Sequence, residues 1–208
     1  PDLYHSRLWR IIMISLCMDS AYKNLILGIY KDDHLLDGIS IEAFKKQSET
    51  IFVELNKLLK KVNLDYKDID RVIITDGPGS YTGIRIAMTI AKVLCTQMKK
   101  ELHCISTMQL YAGMDPEANV ILDARSKRAY VAHLQSGISD KIEILEVNQL
   151  NDFLEKHPGT LYGDGYLVNQ TEEKSDFLKN FIQVPSVKIE NIHALVPQYL
   201  KESDAYKV

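Results

Sequence analysis

The sequence predicts a mixed α/β protein of two related lobes, the second smaller than the first. Three observations predict it. Three short strand patterns, at residues 13–19, 24–30 and 34–41, precede any helical pattern. Helix and strand patterns then alternate through residue 112. The second half opens on strands again before it reaches a helix.

Taken in order, residues 13–19 form an apolar run that ends in Asp19, as a buried strand would. Lys31, Asp32 and Asp33 make a turn between the second and third strands. Over residues 45–62 the period becomes helical, with Ile51, Leu55, Leu58, Leu59 and Val62 on one face and lysines opposite. Arg71–Thr75 reads as another buried strand, and an apolar helix runs from 82 to about 98. A strand at Glu101–Ile105 and a short helix at 106–112 complete a first lobe over 13–112.

In the second lobe, over 113–208, residues 119–123 and 128–135 make a strand pair around Ala124-Arg-Ser-Lys127. A third strand is expected at 141–147, a helix at 149–156, and a strand entering a glycine turn at 160–165. Residues 172–181 and 191–200 read as helical, interrupted at Pro185 and bent near Pro197, with the final helix packing back on the first lobe. Residues 1–12, which include Arg7, Trp9 and Arg10, read as a remnant ahead of a natural start at Met13.

Composition narrows the functional classes. Of 208 residues, 46% are hydrophobic and 25% charged, which is ordinary for a globular protein. The net charge of −3 argues against a chain that grips nucleic acid unaided. Cys17, Cys95 and Cys104 each sit in an apolar stretch and no CxxC pair exists, so a reduced cytoplasmic protein is expected. No run of about 18 apolar residues marks a membrane span.

The most distinctive segment is Asp76-Gly-Pro-Gly-Ser-Tyr-Thr-Gly83, between a strand and a helix. Backbone N–H groups at such a place can hold an anion. The spacing fits neither the dinucleotide fingerprint, because position 82 is Thr, nor the P-loop, because no lysine follows. Asp19, Gly77, Gly79 and Ser80 are the candidates for a nucleotide site, and a tight turn capped by Ser80 is the stronger alternative.

Gly77-Pro-Gly-Ser-Tyr-Thr-Gly-Ile-Arg85 resembles the Gly-Pro-Gly-Ser-Phe-Thr-Gly-[Leu/Val]-Arg signature of the TsaB (YeaZ) family. Met18-Asp-Ser20, Gln47-Ser-Glu49, Leu122-Asp-Ala-Arg125 with Ala129-Tyr130, Gly163–Gly165 and Pro197-Gln-Tyr-Leu-Lys201 resemble further family segments in the same order. The family's His before Ser-Glu is Gln47 here, and Arg128 replaces its acid before Ala129. The resemblance implies a two-lobed fold of the acetate-kinase, sugar-kinase, Hsp70 and actin class. It also implies a subunit that pairs with the catalytic paralogue TsaD, and with the ATPase TsaE through the complex, in threonylcarbamoylation of tRNA. ATP, metal and most tRNA contacts would belong to the partners, and a homodimer could form in their absence.

The chain's own chemistry agrees with a non-catalytic subunit. Asp19 is followed by Ser20-Ala21-Tyr22-Lys23, without the glycine that lets an actin-like hairpin approach phosphates. No two of the six histidines lie four apart, so no His-x-x-x-His ligand pair exists. The rival is a small-molecule kinase or ATPase of the same fold.

The helix after the loop carries Arg85, Thr89, Lys92, Thr96 and Lys99 as one polar stripe and is apolar elsewhere. Two readings of the apolar remainder stand side by side: a helix buried within its own domain, or a partner surface. The family resemblance favours the second. Ile84, Ala87, Met88, Ala91, Leu94, Cys95 and Met98, with Phe52 on the preceding helix, are the interface candidates.

Overall fold

In the computed structural model the structure describes residues 12–43, 46–198 and 200. Residues 1–11, the two residues opening the helical pattern at 44–45, and the end of the chain lie outside these.

The first lobe is a six-stranded sheet in the order β10-β5-β4-β1-β2-β3. Strands β1 (Ile14–Asp19), β2 (Asn24–Lys31) and β3 (His34–Glu42) are antiparallel neighbours. Strands β4 (Arg71–Thr75) and β5 (Glu101–Ile105) extend the sheet in parallel with β1. Such central strands are buried on both faces, hence their unbroken apolar runs. Alternate residues feed two cores. Leu16, Met18, Val72 and Ile74 pack with helices α1 (Gln47–Lys61) and α2 (Tyr81–Met98) on one side. Cys17, Ile26, Tyr30 and Ile73 meet Leu110 and Phe181 on the other.

The second lobe is a four-stranded sheet, β8-β7-β6-β9. Its strands are β6 (Ala118–Arg125), β7 (Arg128–Leu134), β8 (Ile142–Glu146) and β9 (Thr160–Gly163). Helix α3 (Thr107–Ala112) packs on one face through Met108, Tyr111 and Ala112. Helix α4 (Leu150–Lys156) covers the other through Leu150 and Phe153. Ser106 starts α3 with a capping box, its hydroxyl accepting from Gln109 N while the Gln109 side chain accepts from Ser106 N.

After these strands the chain returns to the first lobe. Helix α5 (Phe177–Gln183) packs against α3, β2 and β3, and β10 (Val187–Lys188) pairs with β5. Neither the two-residue strand nor the shortness of α5 follows from the sequence. A helix is expected over 191–200; over 191–198 the chain instead has no α-helix and makes a 3₁₀ turn at Ile192–Ala194. Ile189, Ile192 and Leu195 pack on the α1–α2 core, and Lys92 Nζ donates to the carbonyls of His193 and Leu195, each at 3.0 Å.

Candidate functional site: the interlobe turn and the α1–α2 face

The glycine loop meets the β1–β2 turn, and the two fit backbone to backbone. Ser80 N donates to the Ala21 carbonyl at 2.7 Å, and Ser20 Oγ donates to the Gly83 carbonyl at 2.7 Å. A Cβ on Gly79 would overlap the Ala21 carbonyl oxygen, and one on Gly83 the Ser20 carbonyl oxygen. Ser80 caps α2, its hydroxyl accepting from Gly83 N at 3.2 Å. Gly77 has φ +130°, and a Cβ there would lie 2.7 Å from the Gln198 carbonyl oxygen. The loop's glycines are therefore used for close packing against the chain itself.

Asp19 is buried at the end of β1, where its Oδ1 accepts from Thr75 Oγ1 and, at 3.1 Å, from Ala21 N. Asp76, at the end of β4, accepts from Gln198 Nε2 at 2.9 Å, while its Oδ1 is buried without a partner. Burial pushes both carboxyls up to about 6.

A carboxyl whose folded pKa lies above its unfolded value of about 3.9 holds its proton more tightly when folded. Its contribution is full below the unfolded pKa and is lost as pH rises through about 6. Asp19→Asn and Asp76→Asn keep an acceptor oxygen for the same donors. Each is expected to flatten urea stability between pH 4 and 7 and to raise it at pH 7 by about 1–3 kcal/mol. Unchanged pH curves in both variants would contradict this account.

A second cluster ties the lobes together. Tyr22 donates to Asp164 Oδ2, and Lys23 Nζ lies 2.5 Å from Asp164 Oδ1. Asp164 is 2% exposed and also accepts from Asp123 N at 2.7 Å. Asp123 accepts from Arg125 N at 2.7 Å and from the Tyr166 hydroxyl at 3.1 Å. Buried Gln47 donates to the Tyr22 carbonyl at 3.2 Å, which gives a structural role to the residue that departs from the family's histidine. Sequence reading placed Asp123 and Arg125 at the strand-pair turn of the second lobe, where Arg125 N donates to Asp123 Oδ1. It missed Tyr22, Lys23, Asp164 and Tyr166, whose only signal is an acid inside the Gly163–Gly165 turn.

Most of the expected interface residues prove to face inward. Ile84, Ala87, Met88, Ala91 and Cys95 are at most 4% exposed and belong to the core beneath α2. Their small side chains at 87, 91 and 95 let the helix lie close on β4. Leu94 is half-buried, whereas Phe52 and Met98 are exposed. The pattern misled because α2 is apolar around most of its circumference, so periodicity alone does not say which side meets the sheet.

An outward apolar face remains. Between α1 and α2 runs a groove of about 460 Å³ lined by Ile51, Phe52, Tyr81, Ile86, Ile90 and Val93, with Arg85 at its rim. Phe52, Tyr81 and Val93 are 52%, 59% and 56% exposed. The buried cysteines take no part, and burial pushes the Cys95 and Cys104 thiols up to about 12. His103 and His133 hydrogen-bond within their own lobes, to Ser186 and Asn119. Among the described residues no helix is long and apolar enough to cross a membrane.

Comparison with known proteins places this geometry. A family model described as TsaD, tRNA N6-adenosine threonylcarbamoyltransferase, matches residues 41–144, half of the chain. The tRNA threonylcarbamoyladenosine biosynthesis protein TsaB of Bacillus subtilis is 25% identical, over 93% of this chain and 96% of its own. The TsaB protein of Buchnera aphidicola from Acyrthosiphon pisum is 24% identical, over 84% of this chain and 85% of its own. Among solved structures, a Pseudomonas aeruginosa protein described as similar to peptidase YEAZ superposes with a TM-score of 0.70 at 14% identity, covering 91% of this chain and all of that one. YeaZ of the same species superposes with a TM-score of 0.58 at 17% identity, covering 66% and 68%. The fold they share with this chain is the mixed α/β one of two sheets. With a transferase-family model matched over half its length and TsaB sequences over nearly all of it, the chain belongs to the TsaB (YeaZ) family.

Proposed function

We propose that this chain is a non-catalytic subunit in tRNA threonylcarbamoyladenosine synthesis, and that it works by docking a TsaD-like transferase in the groove between α1 and α2. The observation that carries the reading is the groove itself: large apolar side chains stand half exposed on a face that no described residue covers. The family's TsaB names support the pathway. The close fit of the glycine loop on the β1–β2 turn supports a chain without nucleotide chemistry of its own, since phosphates would need the space that Ala21 and Ser20 take. ATP and metal then belong to the TsaD-like and TsaE-like partners, and tRNA is reached through them.

Val93→Asp and Phe52→Asp place a charge on the exposed groove wall. Both are expected to abolish co-elution with the TsaD-family protein of the same organism on size exclusion. Because both sites face solvent, melting temperatures should stay near the native value. Co-elution that survives both changes would sink the docking assignment. In calorimetry with ATP and magnesium the isolated chain is expected to show no tight site. A micromolar affinity there would restore the kinase or ATPase reading.

A further inference from the structure

We infer that the partner seated in the α1–α2 groove carries an aspartate or glutamate that closes on Arg85, an inference that rests on the docking reading above. Among the described residues, Arg85 is the only charged side chain lining the groove. It is exposed, its Nη1 donates to the Tyr81 hydroxyl at 2.6 Å, and its guanidinium lies 5.1 Å from the Tyr81 ring centroid. That contact uses one N–H of a planar fork with five, and the others have no protein partner among the described residues. Stacking on the ring holds the fork in one plane at the rim of an apolar surface.

In the free chain, water satisfies these donors. A partner that covers Phe52, Ile86 and Val93 must strip that water, and a cation desolvated without an acceptor is costly. Among the described residues no acid is placed to serve. Glu54 is engaged by Lys57 at 2.7 Å, and neither it nor Glu49 lines the groove. The acceptor must therefore arrive with the partner, and a carboxylate is the group that matches the fork with two parallel hydrogen bonds. The occupant is thus an apolar surface bearing one acid in register with Arg85.

The test measures affinity for the TsaD-family protein of the same organism at several salt concentrations, using Arg85→Met, Arg85→Lys and Val93→Asp. Arg85→Met is expected to weaken binding by about a hundredfold and to remove most of its salt dependence. Arg85→Lys keeps the charge but not the fork, and is expected to lose about tenfold. Native affinity in Arg85→Met overturns the inference. So does a weakened variant that keeps the native salt dependence, since the arginine would then act through its aliphatic stem. If Val93→Asp abolishes binding while Arg85→Met does not, docking stands and the carboxylate falls. If neither changes binding, the docking reading falls with it. A native chain that pairs with itself through this face, and does not exchange into the complex, also overturns the inference.

Discussion

Ala91→Glu is expected to leave no folded protein at 37 °C. Ala91 is fully buried beneath α2, within the core that includes Leu16, Val72 and Ile74. Glutamate there adds volume to a close-packed layer and brings a carboxylate into apolar surroundings without a partner. Either effect costs a few kcal/mol, and together they rival the 5–15 kcal/mol that holds a typical domain together. Circular dichroism and gel filtration of the soluble fraction provide the measurement. Ala91→Ser, a smaller change at the same site, should stay folded but melt several degrees lower. A soluble Ala91→Glu protein with native melting, lacking only its partner contact, would return this face of α2 to the interface. Val93→Asp, two residues along the same helix, separates the alternatives because its side chain points out.

Gly83→Ala is expected to cost about 3 kcal/mol or more, because the new methyl group would overlap a backbone oxygen that is itself fixed. The Ser20 carbonyl cannot retreat easily. Its residue's hydroxyl is bonded to Gly83 O, and the next residue's carbonyl accepts from Ser80 N. In a chain of this size, that loss lowers the melting temperature by about 10 °C. Thr82→Ala, on the exposed side of the same first turn, is the control and should melt near the native temperature. A Gly83→Ala protein as stable as native would mean that the β1–β2 turn yields readily, and would reopen the loop as a site for a ligand.

Most of the fold could be read from the residues because the patterns there are local. Buried strands such as Arg71–Thr75 announce themselves as apolar runs, and α1 by its lysine-backed stripe. The Ser80 and Ser106 caps follow from residue type next to a helical period. What was not legible depends on distance along the chain. Asp164 looks like a turn residue until folding brings it to Tyr22, 142 positions away. Val187 and Lys188 carry no strand pattern of their own and are extended because β5 offers a free edge. The inward side of α2 was misjudged for a related reason: only the sheet beneath it distinguishes Ala91 from Val93. Phe52, named from the sequence as an interface candidate, stands exposed on α1.

The return of the chain to the first lobe also bears on how this protein is made. Phe181 and Val184 complete the core that starts with Cys17 and Ile26, and Gln198 seals Asp76 and Gly77. A ribosome that has released residues up to 112 has delivered most of the first sheet but not the apolar side chains that close its second face. That half-covered sheet must wait for about 90 further residues, at roughly 5–20 per second. During those seconds Ile26, Ile73 and Leu110 lack their cover, and they are the side chains a chaperone would be expected to grip. Nascent chains stalled near residue 175 should therefore be protease-sensitive in both lobes. Chains stalled so that residue 198 has cleared the exit tunnel should become resistant in a single step.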